Sequence, residues 1–255
     1  GAQAERGAGG TGRGGGRCPG MQMTSAFARW AGDVRGAHPG RVDTTASERP
    51  ELLVVCGLAG VFGGIALVLL AFYAGAVVPA HDPVAETLSD LGDGPSAIWM
   101  DLGFYLQAAG LVGLATGAAH AHLGRWGWSL GVLSLTGIAL VVTLLGVFDD
   151  FHTRPVPVER LSVHTRLTYL LVPLYAVGPV AMAAGAARAW RPLGPLFLGA
   201  GAAMLALGPV FYLVPTSVDG LVERLLVLPG LVWTLALSAL LLMRAQAIGR
   251  RGAQG

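Results

Sequence analysis

The chain has 255 residues, carries a formal net charge of +2, and is 53% hydrophobic but only 13% charged. Average soluble domains contain roughly 25% charged residues, so this composition argues against a soluble globular protein and predicts an integral membrane protein. All 17 basic residues are Arg, and they are scattered rather than clustered. No nucleic-acid-binding module is recognisable, so we expect no nucleic-acid partner.

The N-terminal region, residues 1–50, differs from the rest of the chain. Residues 1–20 form a low-complexity Gly- and Arg-rich tract that cannot build a hydrophobic core. No apolar segment of signal-peptide length follows a short basic start. We therefore predict a disordered cytoplasmic tail over 1–50, and a second cytoplasmic tail over 245–255.

Six apolar runs follow the N-terminal region. About 20 apolar residues are needed to cross the hydrocarbon core of a bilayer. Each run is too long for a strand and too apolar on all sides for a surface helix. The sequence therefore predicts an all-α polytopic membrane helix bundle of six transmembrane helices over residues 51–244. The runs cover residues 52–78, 98–119, 127–148, 167–187, 193–214 and 221–243.

The placement of arginine predicts the orientation of this bundle. If the N-terminus is cytoplasmic, the cytoplasmic segments hold 13 of the 17 Arg residues. Cytoplasmic loops of membrane proteins carry an excess of basic residues, so both termini are expected in the cytoplasm and the protein in the cell membrane.

The three predicted outer segments carry most of the residues that could perform chemistry. Carboxylates and neutral imidazoles bind zinc and other divalent ions, so His164 with Asp149, Asp150 or Asp219 is a candidate metal set. No HExxH or other tight metal spacing is present. The alternative is a solvated acidic surface in which residues such as Ser89 cap short helices. The sequence itself identifies no cofactor. The outer segments cover residues 81–94, 148–166 and 215–224.

Polar residues inside the predicted spans form a second group of candidates. Asp101 and Gln107 lie in the second span, and Glu223 and Arg224 lie one turn into the sixth. Charged groups within a membrane are costly unless they face protein or water. These residues are therefore either functional or members of interhelical structural pairs.

Three segments of the chain stand out together: ETLSDLG at 86–92, SVHTRLTYLLVPLYAVGP at 162–179 and GLVERLLVLPGLVW at 220–233. Their order resembles that of a bacterial membrane family called "domain of unknown function 998". The resemblance covers about residues 52–243 and implies the positions Ser89, His164, Glu223 and Arg224 as recurrent, with Gly220 and Leu221 in the same motif. The chain departs from the family where Phe148, Asp149 and Asp150 replace a frequent Pro. The family has no established activity, but its members imply a bacterial inner membrane.

These residues predict a small polar pocket at the outer face, between spans two, four and six. Its candidate ligand-binding residues are Ser89, Asp101, His164, Glu223 and Arg224. We favour binding or transport of a lipid or small polar ligand, with Arg224 holding an anionic group and His164 hydrogen-bonding to it. A membrane-embedded hydrolase using His164 and outer-face carboxylates is the first alternative, and a structural subunit is the second. Membrane lipids are expected partners, and the oligomeric state is left open.

Overall fold

A computed structural model describes residues 48–148 and 162–252. The predicted N-terminal tail up to residue 47 lies outside the described residues, and so do Asp149 and Asp150 of the candidate metal set.

The described residues form six long α-helices and contain no β-strand. All six helices are long and apolar enough to cross a membrane, so the prediction of an all-α, six-helix, multi-pass membrane protein is confirmed. The last helix is longer than its apolar run and continues into the predicted C-terminal tail. The helices are α1 (Pro50–Val77), α2 (Ala97–Ala121), α3 (Trp126–Leu145), α4 (Val163–Ala189), α5 (Leu193–Phe211) and α6 (Asp219–Gly252).

Large apolar side chains cover the outside of the bundle. On α1 alone, Phe62 is 61% exposed, Leu69 62% and Phe72 76%. A soluble monomer rarely shows so extended an apolar surface, whereas a membrane protein presents such a surface to lipid.

The helices form a ring in chain order. Each helix packs against the next one, and α6 packs against α1 to close the ring. The backbones of α1 and α2 approach closely at Gly63 and Gly110, where a Cβ on Gly63 would lie 2.6 Å from the Leu106 carbonyl oxygen. These small residues allow the two helix backbones to approach each other closely in lipid.

The two ends of the bundle differ in composition. We call the end that carries residues 78–96 and 212–218 the loop end, and the end that carries Arg125 and Arg191 the arginine end. From its middle to the arginine end the interior is filled by a buried core that includes Trp128, Phe197 and Trp233. The indole nitrogen of Trp128 donates a 2.7 Å hydrogen bond to the Ala118 carbonyl oxygen in this core.

An ion pair fastens the last helix to the start of the first at the arginine end. Arg244 on α6 binds both carboxylate oxygens of Glu48, and its Nε lies 2.6 Å from one of them. Glu48 is only 8% exposed. Paired donors in this fork geometry give a charge-assisted interaction of defined direction.

Candidate functional site

The loop that joins α1 to α2, residues 78–96, is ordered by its own hydrogen bonds. It contains two 3₁₀ turns, Asp90–Gly92 and Gly94–Ser96. The Asp90 carboxylate accepts hydrogen bonds from the amide and the hydroxyl of Thr87, at 2.7 and 2.8 Å. The Ser96 hydroxyl donates to the Leu91 carbonyl oxygen at 2.8 Å. The segment is therefore a folded element and holds side chains in fixed positions.

The first turns of α6 are docked onto this loop. A Cβ on Gly220 would lie 2.2 Å from the Glu86 carbonyl oxygen, so only glycine allows the helix to come this close. The next amide, that of Leu221, donates a 2.9 Å hydrogen bond to the Val84 carbonyl oxygen. The Glu223 carboxylate accepts a hydrogen bond from the Leu88 amide. Backbone and side chain of α6 thus hold the loop together.

Arg224 completes this docking from the neighbouring side of the helix. One of its terminal nitrogens donates to the carbonyl oxygens of Pro83, Glu86 and Gly220 at 2.8–2.9 Å. The other lies 3.2 Å from Nε2 of His81, whose Nδ1 is bonded to the Glu86 carboxylate. Arginine donates and never accepts, so His81 accepts from Arg224 and donates to Glu86. Arg224 acts here as a clamp on the loop.

A serine–histidine pair connects the same loop to α4. The Ser89 hydroxyl lies 2.9 Å from Nε2 of His164, and Nδ1 of His164 lies 3.2 Å from the Phe148 carbonyl oxygen. His164 is 7% exposed and stands in the first turn of α4. That turn is fixed by Ser162, whose hydroxyl accepts a 3.0 Å hydrogen bond from the Thr165 amide as an N-cap.

A cavity of about 110 Å³ lies inside the ring, in the half of the bundle nearest the loop end. Gln107 lies about 15 Å along α2 from the start of the helix, at 1.5 Å per residue, and it lines this cavity together with Tyr175 of α4. The sequence predicted that Gln107 would face protein or water, and its 4% exposure confirms this. Most of the lining is apolar. The polar lining residues are Ser89, Gln107, Thr168, Tyr175, Tyr212 and Glu223.

Three of the five predicted ligand residues line one of two spaces in the described part of the chain, and His164 and Asp101 are in neither lining. Ser89 and Glu223 line the central cavity, whereas Arg224 lines a groove of about 490 Å³ between α1 and α6. The groove opens beside Phe72 and Leu228, both more than half exposed on the outside of the bundle. His164 and Arg224 therefore do not meet at one cavity.

The remaining candidates lie apart from the central cavity. Asp101 is on the second turn of α2 and is absent from the part of the lining that the structure describes. Asp219 begins α6, where its carboxylate accepts a 3.0 Å hydrogen bond from the Gly220 amide. Within residues 48–148 and 162–252, no three His, Cys, Asp or Glu side chains are close enough to hold a metal ion.

A family model described as "Protein of unknown function (DUF998)" matches residues 61–240, which include the docked loop, α4 and the start of α6. The chain belongs to the DUF998 family. The resemblance predicted from the three sequence segments is thereby confirmed. Searches of curated proteins and of solved structures found no significant match to this DUF998 chain.

The DUF998 fold also brings in residues that the sequence did not single out. His81, Tyr175 and Tyr212 contact predicted site residues or line the central cavity. A polar aromatic residue such as Tyr175 in the middle of an apolar span was the available signal, because a buried hydroxyl needs a hydrogen-bond partner. Nothing in local spacing indicates that His81 meets Arg224, 143 residues away.

Proposed function

We propose that this DUF998 protein binds a small amphipathic molecule, or one end of a lipid, in the central cavity. The observation that carries the proposal is the cavity itself, about 110 Å³ of space between packed helices, with polar groups at both ends and apolar walls between them. An apolar cavity of about 150 Å³ is known to take up benzene-sized molecules, so this space suits a group of a few carbon atoms.

The polar groups at the loop end favour a ligand with a hydrogen-bonding head. Ser89, Thr168 and Glu223 supply hydroxyl and carboxylate oxygens there. A few placed polar groups in a mostly apolar pocket fix the orientation of a ligand. The filled core around Trp128 and Trp233 gives the cavity a floor, which favours binding over passage through the bundle.

Saturable binding of tritiated 1-hexanol to the purified protein in lipid nanodiscs tests the proposal, with empty nanodiscs as background. Val142 is 5% exposed and lines the cavity, so Val142→Phe should fill the space and remove saturable binding. Val177→Phe is the matched control, because Val177 is 43% exposed on the outside of α4 and the same substitution there leaves the cavity unchanged. Equal binding by both variants, or none by the wild type, would overturn the proposal.

The proposed orientation places the loop end outside the cytoplasm, in the cell membrane of a bacterium. The excess of arginine at the opposite end supports it. In a background with Cys18 and Cys56 replaced by Ala, a membrane-impermeant thiol reagent added to intact cells should label Asp93→Cys and leave Arg125→Cys unlabelled. Labelling of Arg125→Cys but not of Asp93→Cys would show that the bundle has the opposite orientation in the membrane.

A further inference from the structure

The hydrogen bonds of His164 determine which of its nitrogens is the base. Nδ1 faces the Phe148 carbonyl oxygen at 3.2 Å, and a carbonyl oxygen only accepts. Nδ1 therefore carries the proton of the neutral ring, and Nε2 presents its lone pair. The Ser89 hydroxyl oxygen lies 2.9 Å from Nε2 and donates its hydrogen to that lone pair.

Ser89 is not used as the helix cap that its sequence position predicts. It does stand at the N-cap position of the 3₁₀ turn Asp90–Gly92, but its side chain makes no capping hydrogen bond. The hydroxyl is directed at His164 instead, and it also lines the central cavity. A nucleophile, a base within hydrogen-bond reach and a third group that orients the base form the arrangement used in nucleophilic catalysis.

The residues on both sides of Ser89 are held in place. The Leu88 amide donates a hydrogen bond to the Glu223 carboxylate, and the Asp90 carboxylate accepts hydrogen bonds from the amide and hydroxyl of Thr87. Productive attack needs the reacting groups fixed in orientation before the substrate arrives. Glu223 is thus a positioning residue for Ser89.

We infer that Ser89 and His164 form a nucleophile–base pair that hydrolyses carboxylic esters with short acyl chains in the central cavity. This inference rests on the proposed function, because the ester enters the same space. The apolar walls suit the acyl chain, and the volume of about 110 Å³ limits that chain to a few carbons.

The reaction proceeds in two steps, in which Ser89 is first acylated and the acyl-serine is then hydrolysed. The Ser89 oxygen bonds to the ester carbonyl carbon while its proton passes to Nε2 of His164. The carbon–oxygen bond to the alcohol then breaks, and the alcohol leaves with the proton from Nε2. Water attacks the acyl-serine, gives one proton to Nε2, and releases the carboxylic acid as Ser89 regains its proton.

Covalent labelling of the full-length protein in nanodiscs with a fluorophosphonate probe tests the inference. We expect one adduct per chain, located on Ser89 by peptide mass spectrometry and absent from Ser89→Ala. His164→Gln keeps the nucleophile but loses the base, so the labelling rate and the hydrolysis of p-nitrophenyl butyrate should fall by about 100-fold or more. Ser129→Ala, an exposed serine at the arginine end, is the control and should label like the wild type.

The outcomes separate this inference from the proposed function. Hexanol binding without an adduct on Ser89 would leave the binding site in place and refute the ester hydrolase. An adduct on Ser89 without saturable hexanol binding would support the nucleophile–base pair but refute the central cavity as the place where the ester binds. If labelling persists in Ser89→Ala, or if His164→Gln labels as fast as the wild type, the pair only joins the loop to α4.

Discussion

Replacing Gly220 with Ala should open the contact between α6 and the loop. The new Cβ would lie 2.2 Å from the Glu86 carbonyl oxygen and 2.6 Å from its carbon. Both are backbone atoms, so no rotation of a side chain relieves the overlap. Ordinary van der Waals contact begins at 3.4 Å, and the two segments must therefore separate by the difference of about 1.2 Å.

That displacement breaks hydrogen bonds next to the substituted residue. If the move follows the line of contact, the 2.9 Å bond from the Leu221 amide to the Val84 oxygen lengthens to about 4.1 Å. The bonds of Glu223 and Arg224 to the loop weaken with it. The net contribution of a hydrogen bond to the free energy of unfolding is about 1 kcal/mol, and that of a hydrogen bond to a charged group is about 1.5–3 kcal/mol. We expect the free energy of unfolding to fall by about 2–4 kcal/mol.

Thermal unfolding followed by circular dichroism in one detergent measures this loss. Gly199→Ala on α5 is the matched control, because among the described residues no atom beyond the adjoining backbone of the same helix lies within 4 Å of a Cβ at that position. Ala favours a helix over Gly by up to about 1 kcal/mol, so the control should unfold at the wild-type temperature or slightly above it. A Gly220→Ala protein as stable as Gly199→Ala would refute the argument that close backbone contact docks the loop.

Two further stability predictions concern the core and the arginine end. Trp128 and Trp233 are both fully buried, but the Trp233 nitrogen has no hydrogen-bond partner among the described residues. Trp128→Phe should therefore cost about 1 kcal/mol or more beyond Trp233→Phe in the same unfolding assay, and an equal loss in both would contradict this. Arg244→Gln leaves the buried Glu48 carboxylate unpaired and should cost about 1.5–3 kcal/mol. Adding Glu48→Gln should recover part of that loss in a double-mutant cycle; no recovery would show that the charge pairing contributes nothing.

Hydropathy was sufficient to predict the number of helices, because the need to span a membrane acts on each segment separately. It was insufficient for some helix ends. The fourth apolar run begins at 167, whereas α4 begins at Val163. The additional turn is polar, so hydropathy does not reveal it, and it forms because Ser162 caps it and His164 is held by Ser89 and Phe148.

The site was predictable only where helix geometry determines it. Neighbouring residues on a helix point about 100° apart, so a single face of α6 presents only one of Glu223 and Arg224 to the central cavity. Glu223 lines that cavity, and Arg224 lines the outer groove. The pairing of Ser89 with His164 joins residues 75 positions apart. No spacing rule encodes such a contact, because it depends on how α2 and α4 pack.

The docking of α6 onto the loop has a consequence for biogenesis. The segment from 78 to 96 is among the first parts of the membrane domain to leave the ribosome, yet its partners on α6 are among the last to be synthesised. The Glu48–Arg244 pair sets the same requirement at the other end. Until the final helix inserts, the Val84 carbonyl oxygen and the Glu48 carboxylate lack the partners that they have in the complete fold. A nascent chain stalled before residue 219 thus lacks the partners that the last helix supplies to the loop and to Glu48.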